Sequence, residues 1–571
     1  MPGLLSGAPI TPEEQERNNR DRPWVIPAVL LVLTIYIYLF THAYEAVGLP
    51  GPSELADRAG IVVEDVFDED RNVDCSIHIS YNEEYTNDDE RLVLFLGIAI
   101  AFLVVYYLPL RYKQAGLVAF FLVLVLVLYG PRSTAGFAAA HLVVYLLLHP
   151  DRSGAPWLSA VPGILGYAAF SGGDFFSAHF IVVAALSGIL SVGLYRFAIL
   201  KMLENERAAS ILRTVAVQSA VITVFAGSLL EGMGAAEWKL PVGILLFFWN
   251  WERLIMYHID FKDGHVPRNV SLTTYLSVFM SPGAVANWNW GVTIGQGYAY
   301  TVNNFLAEDK NLLARRGLKL WGIALLYIVL GDWFHSQVVY FFREHGIHVF
   351  WRVRHINEHF VQGGSLDTAQ VLATTLVDLM RWTFLWGGVV HFKVGVWNVC
   401  GYKCDPYFDK PWLSTNMVTL WSRFTFHYRE FLVRAFYYPA FFRFFKKNRT
   451  LRIVFATMAA ACFGNLVWGH MSESVFYRGF EFINLVDMIP SWPYFVLLGL
   501  GISVSELWLL RKNRGSRKPW TLDRHIWKDV VAAYITLQFY GMIHVFFYRA
   551  TDGSVWQHVQ VFLIGLGVPV G

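Results

Sequence analysis

The chain has 571 residues, of which 55% are hydrophobic and only 16% charged, with a formal net charge of +2. A soluble surface of that size needs more charge, so a wholly soluble protein is excluded and no nucleic-acid partner is expected. The lipid bilayer is the expected surrounding.

Residues 1–23 are polar and mixed in charge, without the basic start, short apolar run and small-residue cleavage site of a secretory signal, and are read as a cytoplasmic N-terminal segment. Val25–Phe40, Leu92–Leu110, Gly116–Tyr129 and Ile181–Leu200 are almost free of charge and approach or reach the roughly 20 apolar residues that a membrane helix requires. Further runs lie near 136–149, 158–176, 211–230, 240–258, 317–342, 370–400, 453–471, 492–510 and 527–548. A backbone in lipid must satisfy its own polar groups, which predicts an all-α polytopic protein of about 11–13 transmembrane helices with reentrant or interfacial helices. Three regions are expected: 1–23; 24–240, with an acidic loop at 50–91; and a core at 241–571.

Charge predicts the orientation. Between Glu54 and Arg91 stand 13 acidic residues against Arg58, Arg71 and Arg91, whereas basic residues cluster at Arg111 to Lys113, Arg443 to Arg452 and Arg511 to Arg524. By the positive-inside rule the basic clusters and the N-terminus face the cytoplasm and the acidic loop lies outside, as a solvated connector. His470 then lies towards the outer end of its helix. The four cysteines, Cys75, Cys400, Cys404 and Cys462, form neither a disulfide framework nor a zinc-finger spacing.

The C-terminal half holds most of the ionisable residues found within apolar runs, and such residues warrant a functional hypothesis. Trp386 to Thr415 contains His391, Lys393, Gly401-Tyr402, Phe408 and Pro411-Trp412-Leu-Ser414. Leu420-Trp421-Ser-Arg423-Phe424-Thr425-Phe-His427 follows and leads to Phe436-Tyr437-Tyr438-Pro439, and Phe463-Gly-Asn465-Leu-Val-Trp468-Gly469-His470 comes next. In ungapped register the first two stretches resemble the membrane-bound O-acyltransferase family, nearest to its bacterial polysaccharide O-acetyltransferase and D-alanyl-transfer members. The third is similar to the family's Leu-Trp-His-Gly landmark, with Gly and His exchanged. Tyr275-Leu-Ser-Val-Phe-Met-Ser281-Pro282-Gly283 resembles the break that precedes the family core.

The resemblance implies an acyl group, acetyl or another short chain, carried from acyl-CoA or another thioester to a hydroxyl of a surface polysaccharide, lipid or secreted peptide. No permanently bound cofactor is implied. An accessory surface protein is a possible partner, and the cell membrane is the preferred location. By the same resemblance His470 takes the catalytic position. Thr425 stands where the family has an assisting histidine, and His427 follows two residues later. His427, Thr425 or Asn465 would orient the imidazole or stabilise an oxyanion. The chemistry agrees, because a protonated hydroxyl attacks a thioester poorly and a neutral imidazole can accept its proton. Arg423, Arg429, His391 and Lys393 are candidates for contact with a phosphorylated donor, weighed against a membrane-face anchor for the arginines, a packed histidine and a snorkelling lysine.

Two other signals compete. His335, His345, His348, His355 and His359 crowd one stretch, and His355-Ile-Asn-Glu358-His359 fits the inverted zinc-protease pattern, although Arg352 and Arg354 disfavour a cation there. An interfacial amphipathic segment is the expected reading, and no metal is assigned. Phe247 to His258 combines aromatics with Glu252 and Arg253 and reads as an interfacial belt. A transporter or exporter of lipid-linked saccharide is the alternative function, which an internal inverted repeat would favour.

Overall fold

The computed structural model describes residues 11–570 except 21, 43–87, 151–155, 172–174, 176, 235–249, 281–293, 472–481, 513–518, 523–524, 549 and 551–552. The acidic loop up to residue 87, Cys75, the Ser281-Pro282-Gly283 break, residues 247–249 and part of the 511–524 cluster therefore lie outside the described residues.

The described chain is helical, and no strand occurs in it. In chain order the main helices are α1 (Pro12–Asn18), α2 (Val25–His42), α3 (Asp88–Tyr107), α4 (Leu110–Leu148), α5 (Pro156–Phe170), α6 (Ala178–Leu194), α7 (Glu206–Gly232), α8 (Trp251–Lys262), α9 (Leu272–Phe279) and α10 (Tyr298–Asn304). They continue with α11 (Lys310–Glu344), α12 (Val353–Val361), α13 (Thr368–Val399), α14 (Met417–Phe424), α15 (Phe426–Leu432), α16 (Arg449–Met458), α17 (Trp492–Lys512), α18 (Ile526–Ile543) and α19 (Val555–Gly565). Side-chain caps start many of them: Asn205 accepts from the backbone of Arg207 and Ala208 at α7, Asn448 from Leu451 at α16, and Asp367 forms a capping box with Gln370 at α13. α4 is broken where Gly130, at φ +78°, precedes Pro131.

Six described helical stretches are long and apolar enough to cross a membrane: Leu110–Val127, Ala178–Leu203, Lys310–Glu344, Arg449–Met471, Ile489–Arg511 and Ile526–Phe546. The pair Glu206–Ser219 and Val221–Gly232, bent by 63°, makes a seventh if counted as one span. The chain is thus a multi-pass membrane protein, and the exposed Ile189, Leu190 and Phe197 on α6 and its continuation give it a lipid-compatible face. The expected 11–13 spans compare with these six or seven plus three shorter apolar helices, Val25–Tyr36, Phe95–Tyr107 and Trp157–Phe170. α13, which carries Asp378, Arg381 and Lys393, is not among these long apolar stretches.

α11 and α13 make the most extensive helix pair among the described residues. A glycine seam permits it: a Cβ on Gly317 would lie 2.6 Å from the Gly395 carbonyl, and one on Gly395 would lie 2.4 Å from the Trp321 ring. α18 and α19 pack against α13, α17 packs against α14, α16 and α18, and α15 contacts the segment that continues α16, so that His427 and His470 stand on contacting elements.

Candidate active site

The segment that carries His470 is not an ordinary α-helix. Ala459–Met471 continues α16 with π-helical pitch for 13 residues, a rare geometry that is enriched at functional sites. Two glycines admit neighbouring aromatics. A Cβ on Gly464 would lie 2.8 Å from the Phe436 ring, and one on Gly469 would lie 2.1 Å from the Tyr428 hydroxyl. Tyr428 donates to Asn465 Oδ1 at 2.9 Å, tying α15 to the π-helical segment beside His470. Trp468 donates through Nε1 to Gln218 Oε1 at 3.0 Å and anchors the same segment to α7.

His470 is half-buried, its ring 5.5 Å from that of Phe495 on α17 and 4.8 Å from that of Phe547 just after α18. α16 with its π-helical extension and α18 each run away from a basic region, so this meeting point lies at the end of the bundle remote from residues 443–452. A second histidine lies beside it. His544 donates through Nδ1 to the Tyr540 carbonyl at 2.7 Å, which leaves Nε2 as its acceptor nitrogen, and its ring lies 5.2 Å from Tyr494, which is itself 5.1 Å from Phe547. Sequence reasoning passed over His544, Tyr494 and Tyr428; an ionisable residue at the apolar end of 527–548 was the available signal for the first.

His427 stands apart from this pocket. It is fully buried, its Nε2–H donates to the Asp405 carbonyl at 2.9 Å, and its Nδ1 accepts from Gln296 Nε2 at 3.1 Å. Burial pushes its pKa down to about 4, opposed by the bond to Asp405, so the imidazole is neutral. Tyr300 encloses it, accepting from the Asp405 amide at 2.8 Å. Thr425 is buried too, and its Oγ1 has no hydrogen-bond partner. Among the sequence candidates, Asn465 and His470 share one segment, and His427 reaches it only through its neighbour Tyr428.

The proposed donor contacts are dispersed. Arg423 Nη1 donates to the Lys410 carbonyl at 3.4 Å, and Arg429 pairs with Glu430 at 3.2 Å. His391 donates to the Gly387 carbonyl at 2.7 Å and packs against Tyr327 and Phe408. Lys393, in the C-terminal part of α13, is fully buried among its neighbours, so it does not snorkel to water. The Glu252–Arg253 segment corrects the interfacial-belt expectation. Trp251 to His258 are buried, with Arg253 donating to the carbonyls of Val278 at 2.8 Å and Ile294 at 3.2 Å. The aromatic-and-charge pattern of a belt and of a buried polar joint is the same in sequence.

In the zinc-like motif, Glu358 pairs with Arg354 Nε at 2.6 Å, and His359 packs on Phe350. Among the described residues no three His, Cys, Asp or Glu side chains converge as a metal site. Compared with known proteins, the chain matches no protein-family model and no curated protein.

Proposed function

We propose that the chain is a membrane-bound O-acyltransferase with a core of the kind its 386–470 motifs resemble. The observation that carries this reading is His470 on a glycine-bearing π-helical segment, half-buried among aromatics and next to the Tyr428–Asn465 hydrogen bond. In the proposed reaction His470 accepts the proton of the acceptor hydroxyl as its oxygen attacks the thioester carbonyl. The C–O bond forms, the C–S bond breaks, and the proton passes from the imidazole to the departing thiolate. Asn465 and Tyr428 position the segment, and His544 supplies a second polar edge to the acceptor's side of the pocket.

The reading also places the N-terminus and the basic residues 443–452 at the cytoplasmic face of a cell membrane, and His470 in the outer half. The donor, acyl-CoA or another thioester, enters from the cytoplasm, and the acceptor, with a surface polysaccharide preferred to a lipid or a peptide, enters from outside. The test is a mass-spectrometric count of base-labile acyl esters on envelope glycans and lipids from cells with and without the chain. An ester that depends on the chain is expected. No added ester in any fraction, together with altered saccharide export, would replace this reading with transport.

A further inference from the structure

Between Phe431 and Met458 the sequence holds six basic residues and no acidic one. Two of the six are occupied. Arg434 pairs with Asp260 at 2.8 Å and Asp263 at 3.3 Å, and the Arg452 guanidinium lies over the Phe441 ring at 4.3 Å. Arg443, Lys446, Lys447 and Arg449 are exposed, and their side chains form no ion pair or hydrogen bond among the described residues. Four cations on one turn are left to an outside partner.

Large apolar side chains stand among these cations. Phe442 is 65% exposed, and Phe444, Phe445 and Leu451 are half-exposed. Phe445 takes φ +49°, in the left-handed region that a phenylalanine rarely adopts, with its ring 5.2 Å from that of Phe455, which Phe444 also meets at 5.1 Å. An unfavourable backbone is thus kept while two rings stay half outside the fold. Such a patch marks a contact surface.

Its position in the chain indicates the partner. The turn joins the short helix Tyr438–Arg443 to α16, whose first residue opens the membrane-length stretch Arg449–Met471. The first turn of a span sits where hydrocarbon meets headgroups; aromatic rings concentrate there, and about four to eight basic residues beside a span attract anionic lipid. A soluble acidic protein would match the cations, but rings at the edge of a span already face the bilayer. The connection at 201–207 differs, because Lys201 and Arg207 stand beside Glu204 and Glu206 and the charges cancel.

We propose that this turn binds anionic phospholipid, with Arg443, Lys446, Lys447 and Arg449 on the headgroup phosphates and Phe442, Phe444 and Phe445 against the upper acyl segments. The surface goes beyond the acyltransferase reading and does not depend on it. The experiment reconstitutes the full chain in nanodiscs of equimolar phosphatidylglycerol and phosphatidylcholine, extracts it, and counts the retained lipids by native mass spectrometry. The wild type should retain phosphatidylglycerol over phosphatidylcholine by about fivefold or more. Replacing Arg443, Lys446, Lys447 and Arg449 together by glutamine should remove most of that preference, whereas Lys201→Gln with Arg207→Gln should leave it unchanged. Phe445→Asn, which suits the left-handed backbone, should keep the fold and weaken retention. If the fourfold variant does not fold, Lys446→Gln with Lys447→Gln takes its place, and about half of the preference should go.

No preference in the wild type, a preference undiminished in the folded glutamine variants, or an equal loss in the Lys201 and Arg207 control overturns the proposal. Retention unchanged by Phe445→Asn, together with equally tight binding of soluble polyglutamate, also overturns it and makes an acidic soluble protein the partner.

Discussion

His427 and His470 sit on elements that touch through Tyr428 and Asn465, yet their surroundings have little in common. Both nitrogens of His427 are committed, one to the Asp405 carbonyl and one to the Gln296 amide, in a fully buried site. His470 is half-buried between the rings of Phe495 and Phe547, within the longest π-helical run among the described residues. A histidine whose proton and lone pair are both spent on the fold stabilises it and is poorly placed to carry a proton between substrates. On the proposed reading the first histidine serves the fold and the second is the proposed base.

The largest effect that would sharpen this contrast is on stability. His427→Ala leaves the Gln296 amide and the Asp405 carbonyl without a partner beside a cavity, and should cost about 3 kcal/mol or more, seen as a lower apparent melting temperature and reduced membrane abundance. Unchanged melting would break the structural assignment of His427. Next is Gly469→Ala, whose Cβ would fall 2.1 Å from the Tyr428 hydroxyl and should cost about 1–3 kcal/mol. Adding Tyr428→Phe removes the clashing oxygen, so the double variant should recover part of the loss; strict additivity would show that the two sites do not touch.

The smallest effect is in pH. The folded His427 titrates at about 4 against about 6.5 in an unfolded chain, so between those values the unfolded state binds more protons. Stability should be fully present above pH 6.5 and decline as pH falls towards 4. His427→Gln should flatten that decline by a few degrees of melting temperature across the window; a slope identical to wild type would count against a neutral, buried His427.

Much of the architecture was legible because membrane helices announce themselves as long apolar runs, and 453–471, 492–510 and 527–548 coincide closely with described spans. Other features were hidden for physical reasons. Periodicity reports that Ala459 to Met471 is apolar but not that its pitch is π, nor that Gly464 and Gly469 admit Phe436 and Tyr428 at close range. The Trp251–Arg253 segment has the composition of an interfacial belt, and only packing reveals that Arg253 is held by two buried carbonyls. The site residues drawn from motif resemblance fall into two environments that the motifs do not distinguish.

The most direct test of the central claim compares His470→Ala with His427→Gln at matched membrane abundance, counting base-labile esters on the acceptor fraction. The account predicts that His470→Ala lowers ester formation by a factor on the order of 100 or more with melting nearly unchanged, while His427→Gln retains transfer per folded molecule. Transfer that persists in His470→Ala but is lost in well-folded His427→Gln would contradict it and move the chemistry to the other histidine.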